Sequence, residues 1–377
     1  MVPGMRDDVI ELTRRLVAID SVNPELVPGG AGESEIAAFV ARWLEDAGLD
    51  VERNELAPGR WNVVGTARGS GGGRSLVLNG HMDTVGTGRM ESPFEPRVDG
   101  GRMYGRGAYD MKSSLAAIML AGARASRDGL RGDVVVTAVA DEEVGSIGTA
   151  AVASSRAADA AIVAEPTGER VAIAHRGFVW LEVVAHGRAA HGSRPELGID
   201  AIAKMGRVLT GLEDLDRALR ARPSHPLLGS GSVHASLIQG GRELSTYPDR
   251  CELRLEGRTA PGETPATVER EVGQILERAA AHDPDFRADV AVTFAREPFE
   301  VADDADVVAA VRRHAGGAEV VGVPFWTDAA VLAAAGIPTV LFGPIGEGAH
   351  ADVEWVDLDS AARCAELYLA VARELCA

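Results

Sequence analysis

The sequence predicts a layered α/β domain with a second unit of β-α-β-β-α-β order inserted into it. Three observations predict this. Continuous apolar runs at residues 75–79, 134–140 and 160–164 have the composition of strands buried on both faces of a sheet. Amphipathic helical stretches alternate with those runs, as they do where helices cover a sheet. After Gly177 the pattern becomes strand, helix, strand, strand, helix, strand, a ferredoxin-like order, and the α/β pattern resumes at Ala305. A chain of 377 residues is also too long for one small core. The expected organisation is one domain from residues 1–176 and 295–377, and a second from residues 177–294.

Each element has a local reason. Val9, Ile10, Leu12, Leu16, Val17 and Ile19 mark an amphipathic helix that ends before the Asn23-Pro24 turn. Ile36, Phe39, Val40, Trp43 and Leu44 mark a second helix, stopped at Gly48. Glycine-rich residues 69–73 join the strand-like runs 61–66 and 75–79 and read as a hairpin connection. Ser113–Ala125 reads as a helix. In the insert, residues 178–185 read as a strand, and 201–219 as a helix with Ile202, Met205, Leu209, Leu212 and Leu215 on one face. Residues 233–238 and 251–255 read as strands. Thr264 caps a helix with Pro265 at its first position and an apolar stripe of Val268, Val272, Ile275 and Leu276. Residues 288–294 form the last strand of the insert, and Leu358–Leu375 the C-terminal helix.

Composition narrows the function. A net charge of −18 argues against nucleic-acid or anionic-membrane partners. Only Lys112 and Lys204 are lysines, so a single Arg carries little weight as a site marker. Cys251, Cys364 and Cys376 are too scattered for a disulfide framework or a thiolate metal site. The opening MVPGMRDDVIELTRR lacks the apolar core of a signal peptide, and no long apolar run follows, so the expectation is a soluble cytoplasmic protein. No Gly-Lys-Ser/Thr phosphate loop occurs.

Acidic and histidine residues collect where the predicted strands end. His81 and Asp83 follow residues 75–79 directly, and extended backbone puts both side chains on one face. YGRGAYDMK offers Asp110; DEEVGS, after residues 134–140, offers Glu142 and Glu143; AEPTG offers Glu165; GAHADVEWV offers His350. In open α/β sheets ligands bind outside the carboxyl ends of strands, so these groups can converge. Converging carboxylates repel one another unless a cation joins them. Two divalent metals resolve this: three ligand carboxylates and one hydroxide balance two dications. Mixed His and carboxylate ligands suit zinc, and also cobalt or manganese. The adjacent pair Glu142-Glu143 then divides its labour, one carboxylate binding metal and the other free to act as a base.

In order, HMDTV, GRGAYDMK, ADEEVGS, AEPTG and AHADVEWV resemble the motifs of the dinuclear zinc deacylase and carboxypeptidase family, over nearly the whole chain. That family includes acetylornithine deacetylase, succinyl-diaminopimelate desuccinylase, aminoacylase and glutamate carboxypeptidase. The resemblance implies a zinc-peptidase-like catalytic domain with an inserted lid and dimerisation domain. It implies that His81, Asp110 and Glu165 hold one metal, that Glu143, Asp110 and His350 hold the other, and that Asp110 bridges. Asp83 would orient His81, Glu142 would be the general base, and the Asp110–Met111 peptide would be cis. In the insert, RAAHGSRPELGIDAI resembles the lid motif, so that His191 would stabilise the oxyanion, in dimeric members across to the partner's site. Arg258 in GRTAPGE matches the lid arginine that meets a substrate carboxylate. His175, His186, His225, His234, His282 and His314 match no ligand motif.

The implied reaction is hydrolysis of the amide bond of an N-acyl amino acid, by a homodimer. Glu165 stands where many peptidases of the family have Asp, which favours a deacylase. Ile345 in FGPIGEGAH and Ser245 in STYP depart from the family pattern near expected substrate contacts, so neither the acyl group nor the amino acid is assigned. Carboxypeptidase or dipeptidase action on a short peptide is the alternative within the family. A non-catalytic metal- or amino-acid-binding protein is the alternative outside it; a free Glu142 beside intact ligands argues against that.

Overall fold

The structure, a computed structural model, describes residues 4–377. Residues 1–3, the start of the stretch read as lacking a leader, lie outside the described residues. Two compact units are present. One runs up to Ile173 and takes in Val301–Val321 and Thr327–Ala377; the other is Ala174–Glu300 with Gly322–Trp326. The second unit therefore reaches a few residues beyond 177–294 at each end and adds a short later segment.

The first unit is built on a mixed sheet. Its strands lie in the order Asp50–Ala57, Arg60–Ala67, Val134–Val139, Leu76–His81, Ala160–Val163 and Thr339–Leu341. The last four are mutually parallel, and their residues are fully buried, as the unbroken apolar runs require. Arg60–Ala67 joins antiparallel to Val134–Val139 and forms a hairpin with Asp50–Ala57.

The hairpin expected across residues 69–73 is absent. Val134–Val139 lies between the two strands those glycines connect, and its backbone N–H and C=O groups pair with a strand on each side. The true hairpin turns at Pro58-Gly59, and its first strand is a polar, largely exposed edge that apolar periodicity does not reveal.

Ser113–Ala125 is apolar on all sides and nearly wholly buried, as expected of a helix covered on every face. It packs against the Met5–Val17 and Leu358–Leu375 helices. Met5, Leu12, Leu16, Ile118 and Tyr368 belong to this core.

The second unit has the expected β-α-β-β-α-β order. Its antiparallel sheet runs Ser232–Gly240, Arg250–Thr259, Gly177–His186, Arg287–Arg296. Helices Ala201–Arg220 and Pro265–His282 place Met205, Val208, Leu212, Val272 and Ile275 against Val179, Leu181 and Val183. Asp200 and Thr264 cap these helices by accepting the N–H groups of Ala203 and Thr267. Ser232–Gly240 is an edge strand that exposes Leu237 (64%) and Ile238 (53%). Among the described residues, no helix is long and apolar enough to cross a membrane.

Candidate metal centre

The site grows from strand ends. His81 closes Leu76–His81 and is 1% exposed. The parallel neighbour Val134–Val139 runs on into Asp141, Glu142 and Glu143, and Ala160–Val163, on the other side, runs on to Glu165. Three adjacent parallel strands thus deliver three acidic or histidine segments to one edge of the sheet. Asp110 comes from the tight turn Ala108–Lys112 that leads into the buried helix, and the Asp110–Met111 peptide is cis. His350 follows a turn in which Gly348 has φ 88; a Cβ there would lie 1.9 Å from the Val353 carbonyl oxygen, so only glycine fits.

Asp110 sits at the centre. Its Oδ1 is 3.2 Å from His81 Nε2 and its Oδ2 is 3.4 Å from His350 Nε2. Glu165 Oε1 approaches His81 Nε2 to 3.7 Å, and Glu143 Oε2 approaches His350 Nε2 to 3.1 Å. Two triads result, His81–Asp110–Glu165 and Asp110–Glu143–His350, each with donor atoms within 4.8 Å of one another and with Asp110 in common. Glu142 is in neither triad, although its Oε2 lies 4.0 Å from His81 Nε2.

Asp83 holds His81 by a different atom than its carboxylate. The Asp83 backbone carbonyl accepts from His81 Nδ1 at 2.9 Å, while the nearest carboxylate oxygen is 3.6 Å away. A carbonyl can only accept, so Nδ1 carries a proton and Nε2 is the ring nitrogen that faces Asp110 and Glu165. The Asp83 carboxylate is engaged elsewhere: it accepts the backbone N–H groups of Glu142 at 3.1 Å and Glu143 at 3.2 Å.

The electrostatics are those of a cluster arranged for cations. Burial, reinforced by the neighbouring Glu165 charge, pushes the Glu142 carboxyl well up. Burial and Asp110 do the same to Glu165, and burial raises Glu143. Burial also raises Asp110, but its bonds to His350 and His81 outweigh that and hold it below the usual range. Contacts with Asp110 and Glu143 raise His350 to about 10. Glu143 Oε1 is buried with no hydrogen-bond partner among the described residues, which is costly for a carboxylate oxygen. Two imidazoles, three carboxylates and one orphaned carboxylate oxygen fit divalent ions that take nitrogen and oxygen ligands.

Comparison with known proteins assigns the chain to a family. Residues 77–374 match peptidase family M20/M25/M40. The chain belongs to that family. It is 30% identical to an acetylornithine deacetylase from Myxococcus xanthus, over 96% of this chain and 95% of the other. It is also 30% identical to an N-formyl-4-amino-5-aminomethyl-2-methylpyrimidine deformylase from Halalkalibacterium halodurans, over 90% of this chain and 87% of the other. In fold it matches a Bacillus subtilis crystal structure described as a dinuclear metal-binding peptidase of the M20 family, with a TM-score of 0.73, 19% identity and 99% of both chains covered. This M20 chain is a hydrolase of the metallohydrolase class, as its ordered motifs imply.

Two further expected residues of the M20 chain lie in the second unit. His191 is exposed in a loop, with Nδ1 2.8 Å from Ser193 Oγ. Arg258 lies on Arg250–Thr259, donates to Glu256 at 2.7 Å, and stacks over Phe178 at 5.3 Å.

Sequence reasoning missed the side chains that support the two triads. Arg106 and Glu354 form a buried pair at 2.7 Å, and Arg106 also donates to the Ala351 carbonyl beside His350 at 2.8 Å. Asp328 is buried beneath the Glu142 loop and accepts from Thr149 at 2.6 Å. Asn23, Glu33 and Arg60 are likewise buried. The available signal was weak: Glu354 lies four residues after His350, and Asp141 directly precedes the glutamate pair.

Proposed function

We propose that the chain hydrolyses the amide bond of N-acyl amino acids, with Glu142 as general base. The observation that carries this is Glu142 itself. It is a carboxylate facing His81 that belongs to neither triad, and burial with the neighbouring Glu165 charge raises its proton affinity above that of an ordinary glutamate.

His81, Asp110 and Glu165 would hold one divalent ion and Asp110, Glu143 and His350 the other, zinc first, with cobalt and manganese as alternatives. When bound, these ions would acidify water and polarise the substrate carbonyl. Glu142 accepts the proton of the attacking water and returns it to the leaving nitrogen. Asp83 fixes the His81 tautomer through its carbonyl oxygen and the direction of Glu142 through its carboxylate.

The second unit serves as lid and dimerisation domain in this reading. Its edge strand Ser232–Gly240, with Leu237 and Ile238 exposed, suits pairing with a second copy. His191 donates to the developing oxyanion, and Arg258 meets the substrate carboxylate. The deacetylase relative, matched nearly end to end, supports a deacylase. Peptide hydrolysis is the second reading, favoured by the peptidase described for the structural neighbour.

The test is a panel of N-acetyl, N-formyl and N-succinyl amino acids and dipeptides, assayed after chelation and after adding Zn, Co or Mn. Hydrolysis should vanish on chelation and return with metal. Full activity in protein shown by elemental analysis to be metal-free would overturn the reading.

A further inference from the structure

The loop that carries Glu142 and Glu143 is tied to a buried ionic cluster outside both triads. Ala140, just past the Val134–Val139 strand, donates its N–H to Asn62 Oδ1 at 3.0 Å. Asp141 then turns the chain in the left-handed region, with φ 68. Aspartate tolerates that conformation better than most residues but still needs support. Its Oδ1 accepts from Arg60 Nη2 at 2.8 Å and from Asn23 Nδ2 at 3.0 Å, and its N–H donates to Glu33 Oε1 at 3.2 Å. Arg60 grips Glu33 through Nε at 2.7 Å and Nη2 at 2.8 Å. Arg60 is 4% exposed and Glu33 0%. The Asn23 amide also donates to Asp83 Oδ2 at 2.8 Å, the carboxylate that receives the Glu142 and Glu143 amides. The turn is thus clamped at both ends, Asp141 by Arg60 and Asn23, and the two following amides by Asp83.

We propose that Arg60 and Asn23 are positioning residues for Glu142, acting through Asp141 and, for Asn23, through Asp83 as well, to fix the turn that aims the base. This rests on the reading of Glu142 as general base and names what holds it in place. Consecutive residues send their side chains in different directions, so a small rotation at Asp141 swings Glu142 away from the reacting water. Glu143 has an independent anchor in His350, 3.1 Å away. A misplacement of about 1 Å at a catalytic group can lower the rate on the order of 10²-fold. Lysine keeps the charge of Arg60 but cannot span Glu33 and Asp141 with a planar fork.

The test uses Arg60→Lys and Asn23→Ala in the full chain. Asn23→Ala leaves the Arg60–Glu33–Asp141 contacts in place and is read if Arg60→Lys fails to fold. Backbone hydrogen exchange is followed by mass spectrometry over residues 140–146, with Leu358–Leu375 as internal reference. Each variant should exchange at least about 10-fold faster in residues 140–146, with the reference helix unchanged. With metal saturating, kcat should fall by about 10–100-fold while KM stays within about threefold. Unchanged protection in residues 140–146, or equal loss in the reference helix, overturns the proposal. So does wild-type kcat in a variant whose loop has lost protection. Exchange needs neither substrate nor metal, so a wild-type chain without hydrolase activity would overturn the functional reading and leave the clamp to be judged by exchange.

Discussion

Glu354 accepts the backbone N–H of Asp110 at 3.1 Å from a position 244 residues further along the chain. The same carboxylate accepts the N–H groups of Gly107 at 3.0 Å and Tyr109 at 2.9 Å, and pairs with Arg106. One buried group therefore shapes the turn that presents Asp110, the residue common to both triads. Glu354→Gln keeps the shape but leaves the Arg106 charge unpaired. It should cost about 1–3 kcal/mol of stability, and Glu354→Ala about 3–5 kcal/mol. Both should weaken zinc binding at both triads, because Asp110 belongs to both. Urea unfolding and zinc titration measure this; wild-type values for Glu354→Ala would refute it.

Glu142→Ala should keep two ions per chain and lose about 10²–10⁴-fold in turnover. Glu143→Ala should lose one ion. Elemental analysis beside single-turnover kinetics separates them. Equal metal loss in both variants would contradict the division of the pair.

Asp328 carries a pH signature. Burial raises its carboxyl to about 6, against which the Thr149 and Ser146 hydroxyls work. A carboxyl raised in the folded state binds its proton more tightly there than in the unfolded chain. Its contribution is fully present below the ordinary value near 3.8 and is lost as pH rises through about 6. Asp328→Asn should therefore stabilise the chelated protein above pH 6, by at most roughly 3 kcal/mol, and the gain should shrink toward pH 4. Urea unfolding at acidic and neutral pH tests this. A variant less stable than wild type at neutral pH would show that the ionised carboxylate is well compensated.

His191→Ala should lower kcat by about 10²-fold or more without changing metal content, the scale of a lost oxyanion donor. If the residue acts across a dimer, mixing inactive His191→Ala with inactive Glu142→Ala should restore part of the activity, since a mixed dimer holds one intact site. No recovery after subunit exchange has been verified by mass spectrometry would leave closure within one chain. A fully active, strictly monomeric protein would remove the dimer as well.

The parts legible in sequence were those with a local signature. Ser113–Ala125 and Leu358–Leu375 were readable to their end residues, the first as an apolar run between charged flanks and the second from its Leu, Ala and Val periodicity after Asp357. The His81, Glu142–Glu143 and Glu165 segments stood out because chemistry-bearing residues follow directly on apolar strands. Asp50–Ala57 did not, since an exposed edge strand reads as a charged stretch. The hairpin across residues 69–73 misread a connection, because nothing in those glycines reports that a strand from far along the chain lies between their neighbours. Arg60 and Arg106 were hidden by a composition in which nearly every basic residue is Arg; only their buried partners Glu33 and Glu354 distinguish them.

The parallel arrangement of Leu76–His81 between Val134–Val139 and Ala160–Val163 has a consequence for how the chain reaches its native state. Each of those pairings closes a long crossover, and the entropy of closure is lost before the contacts are gained. His81 and Glu165 therefore become neighbours only once the central strands are in register, and a one-residue slip would turn the residues of a strand to the opposite face of the sheet. An ion that needs both residues favours only chains that have completed this step. With the ligand set proposed above, metal uptake would act as a late check on topology, retaining correctly threaded molecules and giving no advantage to those that have collapsed in another register.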